Sequence, residues 1–185
     1  LYYRMPGIKI ASPMTPDEYK SVYEHFMKHD DVVYVSEHRG SYNNTEELPD
    51  KETSDPDVVL FPISITRFEA EKARRSLTSM GFNVNIYHQL WLKPCILKEG
   101  WVKAVSDSKY GAIVLDDDFE DGIGKCIAHN IMMKTDKKVH VMGLEQRTAG
   151  FHKKVDNLPP SAEQIVNKVL ELREQYELTK PKSRL

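Results

Sequence analysis

The chain has 185 residues, with 26 lysines and arginines against 28 aspartates and glutamates, so its formal net charge is −2. This length suits one domain with a smaller additional unit, and the near-neutral charge argues against the basic surface that nucleic-acid binding requires. No apolar run approaches the roughly 18 residues of a membrane span, and Cys95 and Cys126 form no CxxC pair. We therefore expect a cytoplasmic α/β protein with reduced thiols and with neither nucleic-acid nor membrane partners.

The first 39 residues predict a partial α/β unit. Residues 7–11 predict a strand, Thr15 and Pro16 are typical of a helix start, and residues 32–35 predict a buried strand. Between them, apolar residues recur at spacings of three and four, which predicts one apolar helix face made of Tyr19, Val22, Tyr23, Phe26 and Met27. The chain opens almost directly on a strand and without a methionine. We therefore expect residues 1–39 to be the end of a larger domain.

Residues 40–57 differ in composition from their surroundings. They are polar, rich in turn-forming residues and almost free of branched aliphatic side chains. Such a segment is typical of an interdomain linker. The alternative is a long surface loop, although a loop of this length is unusual inside a compact domain.

Residues 58–178 predict a second, complete α/β domain. Strands are predicted at residues 58–65, 83–87, 112–115 and 139–142, with helices at 68–80, 96–108, 123–133 and 161–176. Residues 88–95 are predicted to be a connector, and residues 179–185 a frayed tail. Strands that alternate with helices predict a three-layer open, mainly parallel sheet with helices on both faces.

Acidic residues follow the strand predicted at residues 112–115. Asp116, Asp117 and Asp118 lie at the sheet edge where open α/β folds bind ligands. They could hold Mg²⁺ through oxygen ligands, or they could complement the positive end of the next helix. The glycines of residues 121–124 (DGIG) likewise allow either close approach of a phosphate or tight packing of strand and helix.

Among the seven histidines, His38 has the most suggestive position. His38 and Arg39 follow the strand predicted at residues 32–35, where a cationic pair could meet an anionic substrate and Arg39 could supply a bidentate fork. The alternative is a pair of solvated loop charges. The other six histidines show no metal-ligand spacing, and the chain contains no GxSxG motif and no P-loop.

The order of several short segments resembles thiamine-diphosphate-dependent enzymes. GIKIASPMTPDE at residues 7–18 and VVYVSEHR at residues 32–39 resemble the end of the pyrimidine-binding domain in the β subunit of 2-oxo acid dehydrogenase complexes. LWLKP at residues 90–94, VLDDD at 114–118 and PPSAEQIV at 159–166 resemble the transketolase C-terminal domain. One departure is Asp121, which stands where the family has a glycine of its G-G-x-G motif.

The resemblance implies an enzyme that uses thiamine diphosphate and Mg²⁺. The chain would then be the C-terminal part of a decarboxylating 2-oxo acid dehydrogenase β subunit or of a transketolase-like enzyme, and would serve dimer assembly and border the active-site channel. The implied partners are a second copy of the chain and, for the dehydrogenase, an α subunit and an acyltransferase core. The family's cofactor-activating glutamate and its diphosphate signature have no match, so we expect no catalytic residue and no cofactor on this chain alone; only His38 and Arg39 are candidates for substrate binding.

Two alternatives stay open. A 1-deoxyxylulose 5-phosphate synthase has the same final domain and would carry its diphosphate-binding domain on the same polypeptide. A non-catalytic module that uses this domain for assembly or regulation is the second alternative.

Overall fold

The computed structural model describes residues 2–150, 152 and 156–179. Seven strands and five α-helices lie in this part of the chain: β1 (Ile8–Ala11), α1 (Pro16–Lys28), β2 (Val32–Val35), β3 (Val58–Pro62), α2 (Thr66–Ser79), β4 (Val84–Ile86), β5 (Trp91–Lys93), α3 (Glu99–Asp107), β6 (Ala112–Phe119), α4 (Ile123–Thr135), β7 (Val139–Leu144) and α5 (Ala162–Thr179). None of these helices is long and apolar enough to cross a membrane. The frayed tail predicted at residues 179–185 lies outside the described residues, except for Thr179, which ends α5.

The larger sheet has four parallel strands in the order β4-β3-β6-β7. One face packs against α2 and α5, and the other packs against α3 and α4. The predicted fold class, a mainly parallel α/β sheet with helices on both faces, is confirmed.

Strand β3 shows why these residues form a central strand. Val59 and Phe61 point into the core on the α3–α4 side, whereas Val58 and Leu60 point into the core on the α2–α5 side. Since both faces are covered, the strand has the continuous apolar sequence typical of a buried parallel sheet. The prediction extends this strand to residue 65, but it ends at Pro62; Ile63 forms an isolated bridge with Gln89, and residues 64 and 65 form the turn into α2.

A smaller sheet has three strands in the order β2-β1-β5. Strands β1 and β2 run parallel, as a β-α-β unit requires, and β5 pairs with β1 in the antiparallel direction. The prediction of a plain connector at residues 88–95 is wrong, because β5 lies inside it. A strand of three residues is too short to produce a recognisable alternation of polar and apolar side chains.

The outer side of this smaller sheet is open, contrary to the sequence prediction. Strand β2 is not buried: Val32 is 63% exposed and Tyr34 is 39% exposed. In α1, only Val22 is buried, whereas Tyr23 and Phe26 are more than half exposed. Part of the apolar stripe of α1, namely Tyr23, Phe26 and Met27, thus faces outward, because within the described chain β2 pairs with β1 alone and no layer lies beyond it.

A buried ion pair joins the two sheets. The Arg67 side chain in α2 is fully buried, and its Nη1 lies 2.6 Å from each carboxylate oxygen of Glu18 in α1. Its Nη2 donates to the backbone oxygens of Ser12, at 3.2 Å, and of Gln89. One guanidinium therefore fixes the end of β1, the start of α1 and the segment before β5 relative to α2.

Residues 40–57 make specific polar contacts along their length. The hydroxyl groups of Ser41 and Tyr19 lie 2.9 Å apart. Asp50 accepts hydrogen bonds from the backbone N–H of His88 at 3.0 Å and from Nε1 of Trp101 at 3.2 Å. The polar composition that predicts a linker thus also supplies hydrogen bonds to both neighbouring units.

Candidate functional site

A cleft of about 620 Å³ lies where the carboxyl ends of strands from both sheets meet. Ser12 and Ser36 follow β1 and β2, and Asp116 and Asp117 lie near the end of β6. The start of α4 forms part of its wall, and so do Tyr2 and Tyr34, whose rings stack with centroids 4.4 Å apart. Open α/β sheets bind ligands at this end of their strands, so the cleft is the candidate functional site.

Asp116 is the most buried acidic group of the cleft, at 1% exposure. Its Oδ2 accepts the backbone N–H of Gly124 at 3.0 Å, and its Oδ1 accepts that of Asp118 at 3.2 Å. Burial raises the pKa of Asp116 to about 6, and the neighbouring charges of Asp117 and Asp118 add to this rise, while the two backbone hydrogen bonds oppose it.

The contact between Asp116 and Gly124 explains why position 116 is acidic and why position 124 is a glycine. A Cβ at position 124 would lie 3.0 Å from Oδ2 of Asp116 and 3.0 Å from the Val141 side chain, so a larger residue would push the carboxylate away. The carboxylate accepts one of the unpaired N–H groups of the first turn of α4. This geometry supports the interpretation that the acidic residue complements the helix start. Within the described residues, no three His, Cys, Asp or Glu side chains are grouped to hold a metal ion.

Asp117 occupies a different environment. Burial raises its pKa, whereas the proximity of the Ser64 side chain and of His38 lowers it. Ser64 lies in the turn between β3 and α2, is buried and has a positive φ of 53°. A non-glycine residue in this left-handed region costs on the order of 1–3 kcal/mol, which the surrounding structure must offset.

The two residues predicted to bind substrate lie beside the cleft rather than in its lining. The ring Nδ1 of His38 accepts the backbone N–H of Gly40 at 3.0 Å, and the ring is half-buried. Arg39 starts a short 3₁₀ turn and is exposed. The structure brings His38 towards Asp117, but it does not bring Arg39 into the cleft wall that the described residues form.

Sequence reasoning missed the serines of the site. Ser12 donates its hydroxyl to the backbone oxygen of Ser36 at 3.2 Å, which links the ends of β1 and β2. Ser64 was hidden because the strand was predicted to continue to residue 65. Applying the strand-end rule to the residues directly after the strands predicted at 7–11 and 32–35 would have found Ser12 and Ser36, but not Ser64.

Both cysteines are free and half-buried. Cys126 in α4 lines the cleft, while Cys95 follows β5. Burial raises the pKa of the Cys95 thiol, which disfavours the reactive thiolate.

Comparisons with known proteins identify the fold. No protein-family model and no curated protein matches the sequence. Among solved structures, a split gene transketolase described as an inactive β4 tetramer matches with a TM-score of 0.71 and 16% identity, over 91% of this chain and 58% of that one. A transketolase mutant from Pichia stipitis matches with a TM-score of 0.69 and 10% identity, over 95% of this chain and 26% of that one.

A transketolase from Campylobacter jejuni subsp. jejuni matches with a TM-score of 0.61 and 14% identity, over 92% of this chain and 27% of that one. These matches confirm the transketolase-like fold that the sequence resemblance implies. The chain spans between about a quarter and three fifths of the length of these structures.

Proposed function

We propose that the chain is the C-terminal part of a thiamine-diphosphate-dependent enzyme, of the transketolase type or the 2-oxo acid dehydrogenase β-subunit type. The fold match over 91% of the chain carries the proposal. Fold alone does not determine activity, so the proposal also rests on the sequence segments that resemble the family in order. In this enzyme the chain serves assembly and borders the active-site channel.

The open side of the smaller sheet supports the assembly role. Among the described residues, no strand pairs with the outer edge of β2, and Tyr23, Phe26 and Met27 of α1 are 56%, 53% and 78% exposed. An uncovered strand edge beside exposed apolar side chains is a surface that proteins normally cover. We expect residues 2–39 to pack on a further part of the same enzyme, and the assembled enzyme to contain two or more copies of this chain.

The residues of the cleft do not fit a diphosphate group. Four aspartates line it in the described part of the chain, against one arginine: Asp116, Asp117, Asp118, Asp121 and Arg4. A diphosphate needs cationic side chains, backbone N–H groups or a bound Mg²⁺ to offset its charge, and the carboxylates repel it. We therefore expect thiamine diphosphate and Mg²⁺ to be held by another part of the enzyme.

The experiment is a direct assay of thiamine diphosphate in two preparations. One is the native assembly, isolated from its source through an affinity tag on this protein; the other is the 185-residue chain produced alone. We expect the cofactor in the native assembly and no binding heat when the chain alone is titrated with thiamine diphosphate and Mg²⁺. An assembly without the cofactor, or micromolar binding by the chain alone, contradicts the proposal.

The same native assembly identifies the enzyme type. An additional α subunit and an acyltransferase core indicate the 2-oxo acid dehydrogenase. A single longer polypeptide indicates a transketolase or a 1-deoxyxylulose 5-phosphate synthase. Both cysteines of the chain are free, which agrees with a reducing compartment, and we propose the cytoplasm.

His38 and Arg39 remain proposed contacts for an anionic substrate at the channel. In the complete enzyme, Arg39→Ala should raise KM and leave kcat nearly unchanged. A charge that binds the substrate equally well in the ground state and in the transition state contributes to substrate binding and not to the chemical step. Lys103→Ala is the matched control, since Lys103 is an exposed cation paired with Asp107. An unchanged KM for every anionic substrate tested would show that Arg39 is only a surface charge.

A non-catalytic binding module is the second candidate. The acidic cleft favours it, because carboxylates without a diphosphate site suit a regulatory ligand that carries hydrogen-bond donors. A native assembly that contains no thiamine diphosphate would favour this candidate.

A further inference from the structure

Three polar side chains meet where β1 and β2 begin. Lys9 lies in β1, His25 lies in the last turn of α1, and Asp31 directly precedes β2. The Nζ of Lys9 donates to Oδ2 of Asp31 at 2.5 Å, and Nε2 of His25 lies 2.9 Å from the same oxygen. Nζ and Nε2 lie 3.2 Å apart. One carboxylate oxygen thus holds side chains from β1 and from α1 at the start of β2.

The Nε2 of His25 lies between a group that only donates and a group that only accepts. An ammonium has no lone pair and a carboxylate has no hydrogen, so the neutral imidazole can use this nitrogen for Lys9 or for Asp31, but not for both. The charged imidazole carries a hydrogen on both ring nitrogens. Its Nε2 then only donates, and Lys9 faces a like charge at 3.2 Å. Protonation of His25 therefore favours its contact with Asp31 and disfavours that of Lys9.

The surroundings decide which of the two cations keeps Asp31. The ring of His25 stacks on His29, with centroids 4.4 Å apart, and makes a T-shaped contact with Trp91 of β5, with centroids 5.0 Å apart. The Lys9 side chain is 30% exposed, and a long lysine side chain loses much conformational entropy when it is fixed. Lys9 can therefore move into water, whereas neighbouring rings hold His25 in place.

The carboxylate that both cations share keeps its charge in the range where histidines titrate. The hydrogen bond from Lys9 lowers the pKa of Asp31 below its usual value, and the hydrogen bond from His25 acts in the same direction. Histidine is the side chain whose charge changes between pH 5 and 8. The titratable groups in contact with His25 are Lys9, Asp31 and His29, and β5 contributes the neutral Trp91.

We propose that His25 is a proton switch in the smaller sheet: its charged ring takes over Asp31, and Lys9 is released to the solvent. At pH 8, Asp31 ties β1 to the start of β2; at pH 5, it ties α1 to the start of β2. The attachment of α1, which carries the exposed Phe26 and Met27, is then tighter at pH 5 than at pH 8. The switch acts within this chain and does not depend on the proposed function.

Double-mutant cycles on the 185-residue chain test the exchange of partners. Lys9→Met, Asp31→Asn and the double variant are unfolded in urea at pH 8 and at pH 5. The coupling is the amount by which the effect of the double variant departs from the sum of the two single effects. We expect coupling between Lys9 and Asp31 at pH 8 and its loss at pH 5. Equal coupling at the two pH values, including none at either, would overturn the proposal.

Two histidine variants assign the effect to one ring. In a His25→Gln background the coupling between Lys9 and Asp31 should be the same at both pH values. A His29→Gln background, which removes only the neighbouring ring, should keep the loss of coupling at pH 5. A coupling that is still lost at pH 5 in His25→Gln would overturn the switch.

The fluorescence of Trp91 gives an independent measurement, because a charged imidazole quenches the emission of an indole that it contacts. Emission should fall between pH 8 and pH 5 in the unsubstituted chain, and it should fall less in His25→Gln. The second tryptophan, Trp101, contributes equally to both proteins, so the difference between them reports on Trp91. The same fall in both proteins would show that His25 does not acquire its charge in this range and would overturn the switch.

Discussion

The two sheets of this protein are stabilised in different ways. In the four-stranded sheet, all five residues of β3 are buried between two helix layers. In the three-stranded sheet, none of the four residues of β2 is buried, and α1 contributes a single buried residue, Val22. The larger sheet therefore has an apolar layer on both faces, whereas the smaller one packs Ile10 and Leu92 into the core that it shares with the larger sheet and leaves its outer side open.

This difference shows that a β-α-β pattern does not by itself imply a covered sheet. Both regions have apolar strands and an amphipathic helix, but only the larger one has elements on both faces of its sheet. Removing about 25 cal/mol per Å² of apolar surface from water stabilises only the side chains that another layer covers. Four predictions test the contrast.

The largest effect is expected from matched phenylalanine substitutions in the two regions. Phe61→Ala should lower the free energy of unfolding by about 3–5 kcal/mol, because it leaves a cavity beside Tyr87 and Trp101. Phe26→Ala should change it by less than about 0.5 kcal/mol, since that ring is 53% exposed. Urea denaturation measures both. An equal loss in both variants would contradict the contrast.

The ion pair between the units is the second target. Arg67→Met should cost about 3–5 kcal/mol, since it leaves Glu18 and two backbone oxygens without their partner. Hydrogen exchange should rise first in residues 7–36. Glu18→Gln combined with Arg67→Met should recover part of the loss, because it removes the isolated charge.

Lys103→Met breaks the exposed pair with Asp107 and serves as the control for Arg67→Met. It should leave both the free energy of unfolding and the hydrogen exchange of residues 7–36 unchanged. If Arg67→Met behaves like this control, the packing of the three-stranded sheet against the four-stranded sheet does not depend on the buried ion pair.

The third prediction concerns pH. The pKa of Asp116 is raised from 3.8 to about 6 in the folded chain, so the fold disfavours its charged form. Its contribution to stability is complete below about pH 4 and is lost as the pH rises through about 6. A rise of this pKa from 3.8 to about 6 corresponds to about 3 kcal/mol.

Asp116→Asn should remove this component of the pH dependence. The slope of unfolding free energy against pH should become flatter between pH 4 and 6 than in the unsubstituted chain. Asp30→Asn is the control, because Asp30 is exposed and is not one of the groups that act on Asp116. A slope that Asp116→Asn does not change would show that Asp116 titrates normally.

The smallest effect concerns residues 40–57, which remain the proposed linker. Limited proteolysis should cut first within residues 42–47, where most side chains are exposed, and less readily near Asp50 and Lys51, whose hydrogen bonds anchor the chain. A stable product that starts shortly after these cuts is expected by mass spectrometry. First cuts within residues 82–115 would refute the boundary.

Particular residues show which parts of the fold and of the site could be predicted from the sequence. The apolar run at residues 58–61 and the helix before Gly81 were predictable, because continuous burial and a 3.6-residue period are local patterns. Asp116 could be placed at a ligand-binding sheet edge because it directly follows the strand predicted at residues 112–115. Strand β5 could not be predicted, since three residues carry no period and its pairing with β1 joins segments about 80 residues apart.

The sequence by itself determined the order and type of most elements and the α/β class, because those follow from local spacing, turn residues and strand–helix alternation. Only the tertiary structure decided which apolar side chains are covered: Tyr23 and Phe26 of α1 and Val32 of β2 belong to apolar patterns, yet they are exposed. It also decided that Ser12, Ser36 and Asp116, which lie near the ends of three different strands, line one cleft. Burial and proximity between distant segments depend on how layers pack, and local periodicity carries no information about a partner layer.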